Sequence, residues 1–263
     1  MHVPVLLDRC IELLGPALSA PDAILVDATL GLGGHSEAFL STFSDLTLVG
    51  VDRDPIALVK AGERLAKFGD RFVPRAGEHE NLASLLATVN GGRINAILFD
   101  LGVSSMQLDE PSRGFSYSRD APLDMRMNPQ DELNAAQIVN TYSEAELVGV
   151  LRDFGEERSA RRIAKAIIAA RNNAPITSTA ELAELVRDAI PQAAKRTGGH
   201  PAKRTFQALR IEINREIQGL PAALDAALGA RVVGGRIAVI SYHSLEDRIV
   251  KRRFAADSKE TSP

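Results

Sequence analysis

The sequence predicts an α/β fold, a mostly parallel sheet with an inserted all-helical domain, and three observations predict it. Apolar runs at 23–28, 46–51, 71–74 and 94–99 alternate with segments of helical periodicity through the first half of the chain. A glycine turn, Gly31-Leu-Gly33-Gly34, follows the first of these runs. From Asn134 to about Leu209 the strand signal disappears, returning only at Gly235-Arg-Ile-Ala-Val-Ile240. The expected division is an α/β domain of residues 1–130 and 210–263, with a helical domain of residues 131–209 between the fourth and fifth strands.

Each element has its reason. The first strand, around Ala23-Ile-Leu-Val26, runs into Asp27-Ala-Thr-Leu-Gly31-Leu-Gly33-Gly34-His35. The second, Leu46 to Val51, stops at Asp52, about 20 residues past the glycines. Strand, glycine turn, helix, strand and acid make a nucleotide-binding unit, because a tight turn lets a ligand approach bare backbone and a carboxylate accepts from two ribose hydroxyls. The spacing is G-x-G-G-H, which lacks the third glycine of the dinucleotide pattern. Asp27, four residues ahead of Gly31, suits adenosylmethionine enzymes better. Pro55 to Phe68 reads as a helix from Ile56, Val59, Leu65 and Phe68. The fourth strand, Ile94 to Phe99, ends at Asp100. Ligands in open parallel sheets bind beyond the carboxyl ends of strands, so Asp27, Asp52 and Asp100 are expected to converge. Within the helical stretch, Ser143-x-x-Glu146 and Ser178-x-x-Glu181 are capping boxes. Arg158, Arg161, Arg162 and Lys165 fall at three- and four-residue steps along a helix.

Bulk properties narrow the class. The 263 residues are 45% apolar, enough for a substantial core. The lone Cys10 excludes an internal disulfide and reads as a small buried residue. No apolar run approaches the roughly 18 residues of a membrane span, and no secretory leader is present, so the expected location is cytoplasmic with no membrane partner. The five histidines are scattered without cysteine partners, and no metal is expected. The net charge of −3 hides an asymmetry: residues 1–150 carry 11 Lys and Arg against 21 Asp and Glu, whereas 151–215 carry 13 against 7. A basic middle segment in an acidic chain suits a local polyanion contact, with a solvated helix face as the alternative.

Four further segments carry polar chemistry. Asp100-Leu-Gly-Val-Ser-Ser-Met-Gln107-Leu-Asp109 is a glycine-bearing loop directly after a buried strand. Arg113-Gly-Phe115-Ser-Tyr117 and Pro122-Leu-Asp-Met-Arg126-Met interleave rings with arginines, which suits stacking on single-stranded nucleic acid, unless Phe115 is tucked into the core. His200-Pro-Ala-Lys203-Arg204-Thr opens a helix with cations that oppose the helix dipole unless an anion is nearby. Ser241-Tyr-His-Ser-Leu-Glu-Asp-Arg248 follows the fifth strand, where His243 is either a base or a hydrogen-bond orienter.

Six motifs in order, D-A-T-L-G-L-G-G-H, D-L-G-V-S-S-x-Q-L-D, G-F-S-Y, P-L-D-M-R-M, H-P-A-K-R-T-F-Q-A-L-R-I and S-Y-H-S-L-E-D-R, resemble the bacterial ribosomal small-subunit methyltransferase H (MraW) family over residues 1 to about 254. The resemblance implies a Rossmann-like domain with a helical insertion. It also implies adenosylmethionine-dependent methylation of N4 of one decoding-centre cytosine in 16S rRNA, with the small ribosomal subunit as partner. Matched motif by motif, cofactor contacts fall on Gly33, Gly34, His35, Asp52, Asp100 and Gln107, and a usually aromatic position falls on His79. Met106 stands where the family has proline, and Tyr242 where it has phenylalanine. The family's carboxyl-terminal Asn-Pro-Arg motif has no counterpart here, so the expectation is a chain without the family's usual tail.

The chemistry then expected is in-line transfer to a weakly nucleophilic amine, with Asp100 holding either the cofactor's amino-acid end or the amine. Tyr242 or Phe115 stacks on a cytosine flipped out of its helix. Arg113, Arg126, Lys203, Arg204, Arg248 and the helical-domain arginines meet phosphates. Two other readings, a non-catalytic assembly factor and an NAD-dependent oxidoreductase, leave respectively the cofactor crevice and the basic helices without a purpose.

Overall fold

The computed structural model describes residues 3–191 and 200–260, apart from the side chain of Glu260. The chain forms two compact units, residues 1–102 with 216–263 and residues 103–215. The first contains a five-stranded, wholly parallel sheet: β1 (Ile24–Asp27), β2 (Thr47–Asp52), β3 (Phe72–Ala76), β4 (Ile94–Asp100) and β5 (Arg231–Ile240), in the order β3-β2-β1-β4-β5. It is the α/β architecture the apolar runs predict.

Side chains alternate across this sheet, because successive residues of a strand point to opposite faces. Leu25, Leu48 and Leu98 pack with α1 (Leu7–Leu18), α2 (Gly34–Thr42) and α3 (Pro55–Leu65). Val26, Val49, Val51, Ile97 and Phe99 pack on the other face with α4 (Leu82–Ala87) and α11 (Leu220–Ala230). Both faces are covered, which is why the strands read as continuous apolar runs. Cys10 is buried on α1, and burial pushes its thiol up to about 11, so it is an inert packing residue. β5 begins earlier than its apolar run. A register shift against β4 follows Ile94↔Arg231, Gly234 has φ +80°, and Val233 is fully exposed, so these first residues carry no apolar signal. The last helix of this unit is α12 (Ser244–Glu260).

The second unit is helical: α5 (Ser105–Asp109), α6 (Ala135–Thr141), α7 (Glu144–Asp153), α8 (Ala160–Arg171), α9 (Thr179–Ala189) and α10 (Lys203–Asn214). Residues 192–199, inside the helical span expected from the sequence, lie outside the described residues. The Ser143 box forms in both directions: Glu146 N–H donates to Ser143 Oγ, and Ser143 N–H to Glu146 Oε2 at 2.7 Å. The Ser178 box is half formed, because the Glu181 carboxylate accepts from Thr177 N–H instead.

This unit reaches well ahead of residue 131 because loop 103–130 joins its core. Phe115, Leu123, Met125 and Met127 are buried with Ile138, Leu151, Ile163, Ile167, Phe206 and Leu209. The loop's polar groups are spent internally. Arg113 donates to the carbonyls of Arg126 and Met127, Arg126 forms a bidentate pair with Asp124 and caps the Asp131 carbonyl, and Asn214 bridges Met127 N–H and the Met125 carbonyl. Gly114 turns the chain at φ +68°, and a Cβ there would lie 2.2 Å from the Pro122 carbonyl oxygen. Gly114→Ala is therefore expected to destabilise this unit by about 3 kcal/mol through left-handed strain plus overpacking. Hydrogen exchange of α6 and α10 amides measures the loss, and unchanged protection would refute the close approach.

Candidate active site

The parallel pairing of β1 with β2 and β4 sets three strand-end carboxylates side by side, within the first unit. Asp27 is buried and accepts from Ser36 Oγ at 2.7 Å and from Thr29 N–H. Its burial raises its pKa above the usual carboxylate range, against the lowering effect of the Ser36 bond. Asp52 closes the glycine turn. Its Oδ2 accepts from Gly31 N–H at 2.7 Å, and its Oδ1 from Asp54 N–H at 2.9 Å. Burial pushes Asp52 up to about 6 despite these two donors. A carboxylate has about four acceptor positions, so lone pairs are left for a diol.

The glycines have reasons internal to the protein. Gly33 has φ +73°, and a Cβ there would meet Leu65 of α3 at 3.0 Å, while one on Gly34 would meet Pro4 at 2.8 Å. The turn thus packs both against α3 and beneath the amino-terminal segment. His35 begins that contact from the other side: its Nε2 lies 3.0 Å from the Val5 carbonyl oxygen. A carbonyl can only accept, so Nε2 carries the proton.

Asp100 ends β4 beside this turn. Its N–H donates to Thr29 Oγ1 at 2.6 Å, its Oδ1 accepts from the Tyr242 hydroxyl at 2.8 Å, and its Oδ2 lies 3.7 Å from His35 Nδ1. Tyr242 arrives because β5 runs parallel to β4 with Ile240 beside Asp100. Burial, then the bond to Asp100, raises the Tyr242 hydroxyl well above its ordinary range, so it is a donor and never a base near neutrality. His79 follows β3 in a short 3₁₀ turn, edge-on to Phe99 at 5.9 Å between ring centres. Burial, followed by the charge of Arg53, lowers His79 to about 4, so its ring is neutral at physiological pH.

Gly33, Gly34, His35, Asp52, His79, Asp100 and Tyr242 thus belong to one unit, at or after the carboxyl ends of its strands. Gln107 belongs to the other, where it is buried and its carboxamide oxygen accepts from Ser104 N–H to cap α5. Three residues expected at phosphates or bases are placed otherwise. Phe115 is buried in the helical core, which removes its ring from base stacking; Arg113 and Arg126 hold loop carbonyls and Asp124. A phenylalanine flanked by arginines looks the same in sequence whether it faces solvent or core. Lys203, Arg204 and Arg248 are exposed.

Two participants went unnoticed in the sequence. Thr29 anchors Asp100 from the glycine turn. Glu246 is buried at the start of α12, accepts from Tyr242 N–H at 2.8 Å and lies 3.1 Å from His243 Nε2. The signal for it was the His243-x-x-Glu246 spacing, which is that of a capping pair. Among the described residues, no group of three or more His, Cys, Asp or Glu is placed to hold a metal ion, and no helix is long and apolar enough to cross a membrane.

The model of the MraW methylase family matches residues 1–263. The chain belongs to that family. Its relatives include the ribosomal RNA small subunit methyltransferase H of Streptomyces avermitilis, 56% identical over all of this chain and 82% of that protein. Proteins of the same name from Mycolicibacterium smegmatis and Mycolicibacterium gilvum are 58% and 59% identical, again over the whole chain, and 72% and 71% of their own lengths are covered. In this methylase the glycine turn and Asp52 stand where a nucleoside cofactor binds in parallel α/β proteins.

The raised pKa of Asp52 has a consequence for stability. The folded state keeps the proton up to about pH 6, while the unfolded chain releases it near pH 4. The folded state then binds more protons than the unfolded one between these values, so the contribution is full below about pH 4 and is lost as pH rises to about 6. Wild type is expected to lose about 2 kcal/mol relative to Asp52→Asn across that window. Urea unfolding of both proteins at pH 4 and pH 6.5 reads the difference, and parallel pH profiles would contradict the burial of this carboxyl.

Proposed function

We propose that the chain is an adenosylmethionine-dependent methyltransferase that modifies N4 of a decoding-centre cytosine of 16S rRNA in the small ribosomal subunit. The observation that carries this reading is the row of strand-end carboxylates beside a glycine turn in a chain of the MraW methylase family. The names of its relatives support ribosomal RNA as the substrate class, and the six ordered motifs support the cytosine amine.

The residues fit the cofactor. Asp52 retains acceptor positions for a ribose diol, since it is pinned by backbone donors at the turn. The neutral, flat ring of His79 suits an adenine face. Gly33, Gly34 and His35 line the same turn, Asp100 is the alternative carboxylate for the cofactor's amino group, and Gln107 is proposed on the family's motif alone. When bound, adenosylmethionine supplies an electrophilic methyl group.

The chain's own task is to position and deprotonate. A cytosine amine donates its lone pair into the ring, so it needs an acceptor for the proton it sheds as nitrogen gains a substituent. Asp100 is the proposed acceptor, held at its backbone by Thr29 and at its carboxylate by Tyr242. Holding the reactants in line accounts for roughly 7–11 kcal/mol of barrier lowering, and a placed acceptor for about 10²–10⁴-fold.

Phosphate contacts fall on the helical unit. Arg161 and Arg162 occupy the first turn of α8, and Lys203 and Arg204 that of α10; neither turn carries an acid, and all four side chains are exposed. Cations there oppose the helix dipole, a cost that a bound polyanion reverses. Arg204 donates to the Glu156 carbonyl, in the connection that leads into α8, and Arg158 and Lys165 are proposed to share the same basic surface. Arg248 is the proposed phosphate contact of the α/β unit.

Incubation with tritiated adenosylmethionine and 30S subunits lacking the modification, followed by nucleoside analysis, tests this reading. Label is expected in N4-methylcytidine, and label in any other nucleoside would falsify the cytosine assignment. Asp100→Ala is expected to lose at least 10²-fold in rate. Separately, Lys203→Ala and Arg204→Ala are each expected to weaken RNA binding and to reduce the slope of log K against log salt by about 1. A salt dependence equal to that of wild type would remove these residues from the RNA surface.

A further inference from the structure

Asp100 is flanked by side chains from two different elements, and they do not act alike. His35, on α2, lies 3.7 Å from Oδ2 through Nδ1, but its proton sits on Nε2, engaged with the Val5 carbonyl. Tyr242 approaches Oδ1 with a hydroxyl at 2.8 Å.

Several contacts preset the Tyr242 hydroxyl although the side chain is 54% exposed. Its N–H is fixed to the buried Glu246 carboxylate, which His243 also approaches. Its ring lies beside Gly102, where φ is +91° and a Cβ would come within 3.5 Å of Cδ2. An exposed ring held at its backbone and its hydroxyl is built to present that hydroxyl.

We propose that Tyr242 is a positioning residue for Asp100: its hydroxyl donates to Oδ1, fixes the plane of the carboxylate and favours its charged form. The proposal rests on the methyl-transfer reading for its purpose, and on this geometry alone for its effect on Asp100. It replaces base stacking as the role of Tyr242. A donor to the ionised form lowers a carboxyl's pKa, and hydrogen bonds to charged groups are the stronger class. Other titratable groups act on the same carboxylate: Asp27 from β1, Cys10 from α1, His35 from α2 and Glu246, which faces Tyr242 from α12. Asp27 and Cys10 oppose its charge when ionised. Tyr242 stands against them as a neutral donor that stays protonated.

The test titrates Asp100 itself. In full-length protein carrying aspartate labelled with ¹³C at the side-chain carboxyl, the Asp100 resonance is identified by its loss in Asp100→Asn. Its midpoint is then compared in wild type, Tyr242→Phe and Tyr242→Ala. In Tyr242→Phe, which keeps the ring, the midpoint is expected about one pH unit higher, a tenfold change in proton affinity. The acid limb of kcat for methyl transfer to 30S subunits should move the same way, with the calorimetric Kd for adenosylmethionine within threefold of wild type. Equal midpoints in Tyr242→Phe and wild type overturn the proposal. So does a Tyr242→Phe enzyme with normal pH dependence beside a slow Tyr242→Ala, which would return the ring to base stacking. A moved midpoint in a chain that transfers no methyl group sustains the Tyr242–Asp100 coupling and defeats the methyl-transfer reading instead.

Discussion

The gathering of three carboxylates at one end of a parallel sheet, two of them desolvated, is the constraint on which the rest of the structure depends. A buried carboxylate is tolerated only when donors surround it. Asp27 is met by Ser36 and Thr29, Asp52 by the N–H groups of Gly31 and Asp54, and Asp100 by Tyr242. The donors come from the glycine turn and the residues beside it, the first turn of α2, the residues after β2, and the β5–α12 connection. The turn is therefore fixed by the acids as much as the acids are fixed by the turn. A crevice organised this way is in place before any ligand arrives, which is the condition for electrostatic preorganisation.

The helical unit follows a different logic. Its loop 103–130 has little regular structure, yet is locked by Arg113, Asp124, Arg126 and Asn214 around buried Phe115 and Met125. These charged groups lie in a segment that reads as a nucleic-acid loop, and they serve as internal scaffolding. The cations left exposed gather at the starts of α8 and α10, where the dipoles disfavour them. Internal arginines set the shape, and the exposed ones are left to meet the proposed phosphates.

Much of the fold was legible in the sequence. Leu25 and Val26, Leu48 and Val49, Ile97 and Leu98 are apolar on both faces because both faces are covered, and runs of that kind alternating with helices admit few arrangements besides a parallel sheet. The acids were legible for the same reason: a charged residue that ends an apolar run is at a strand end. Less visible was anything that depends on which way a side chain turns. Phe115 and Tyr242 both sit in polar loops with basic neighbours, yet one is in the core and the other is 54% exposed. Glu246 looked like an ordinary helix-start acid until its burial beneath Tyr242 and His243 was apparent.

By itself, then, the sequence determined the layering, the strand order's active end, the helical insertion and the residues that carry charge there. Local periodicity and turn chemistry are properties of neighbouring residues, so they survive in one dimension. Only the tertiary structure decided partnership: that Tyr242, 142 positions after Asp100, gives it a proton to lean on; that His35 spends its own proton on Val5; and that Arg113 and Arg126 are held by the loop itself. Such pairings are set by strand register and helix packing, which bring together residues whose spacing in the chain carries no trace of their contact.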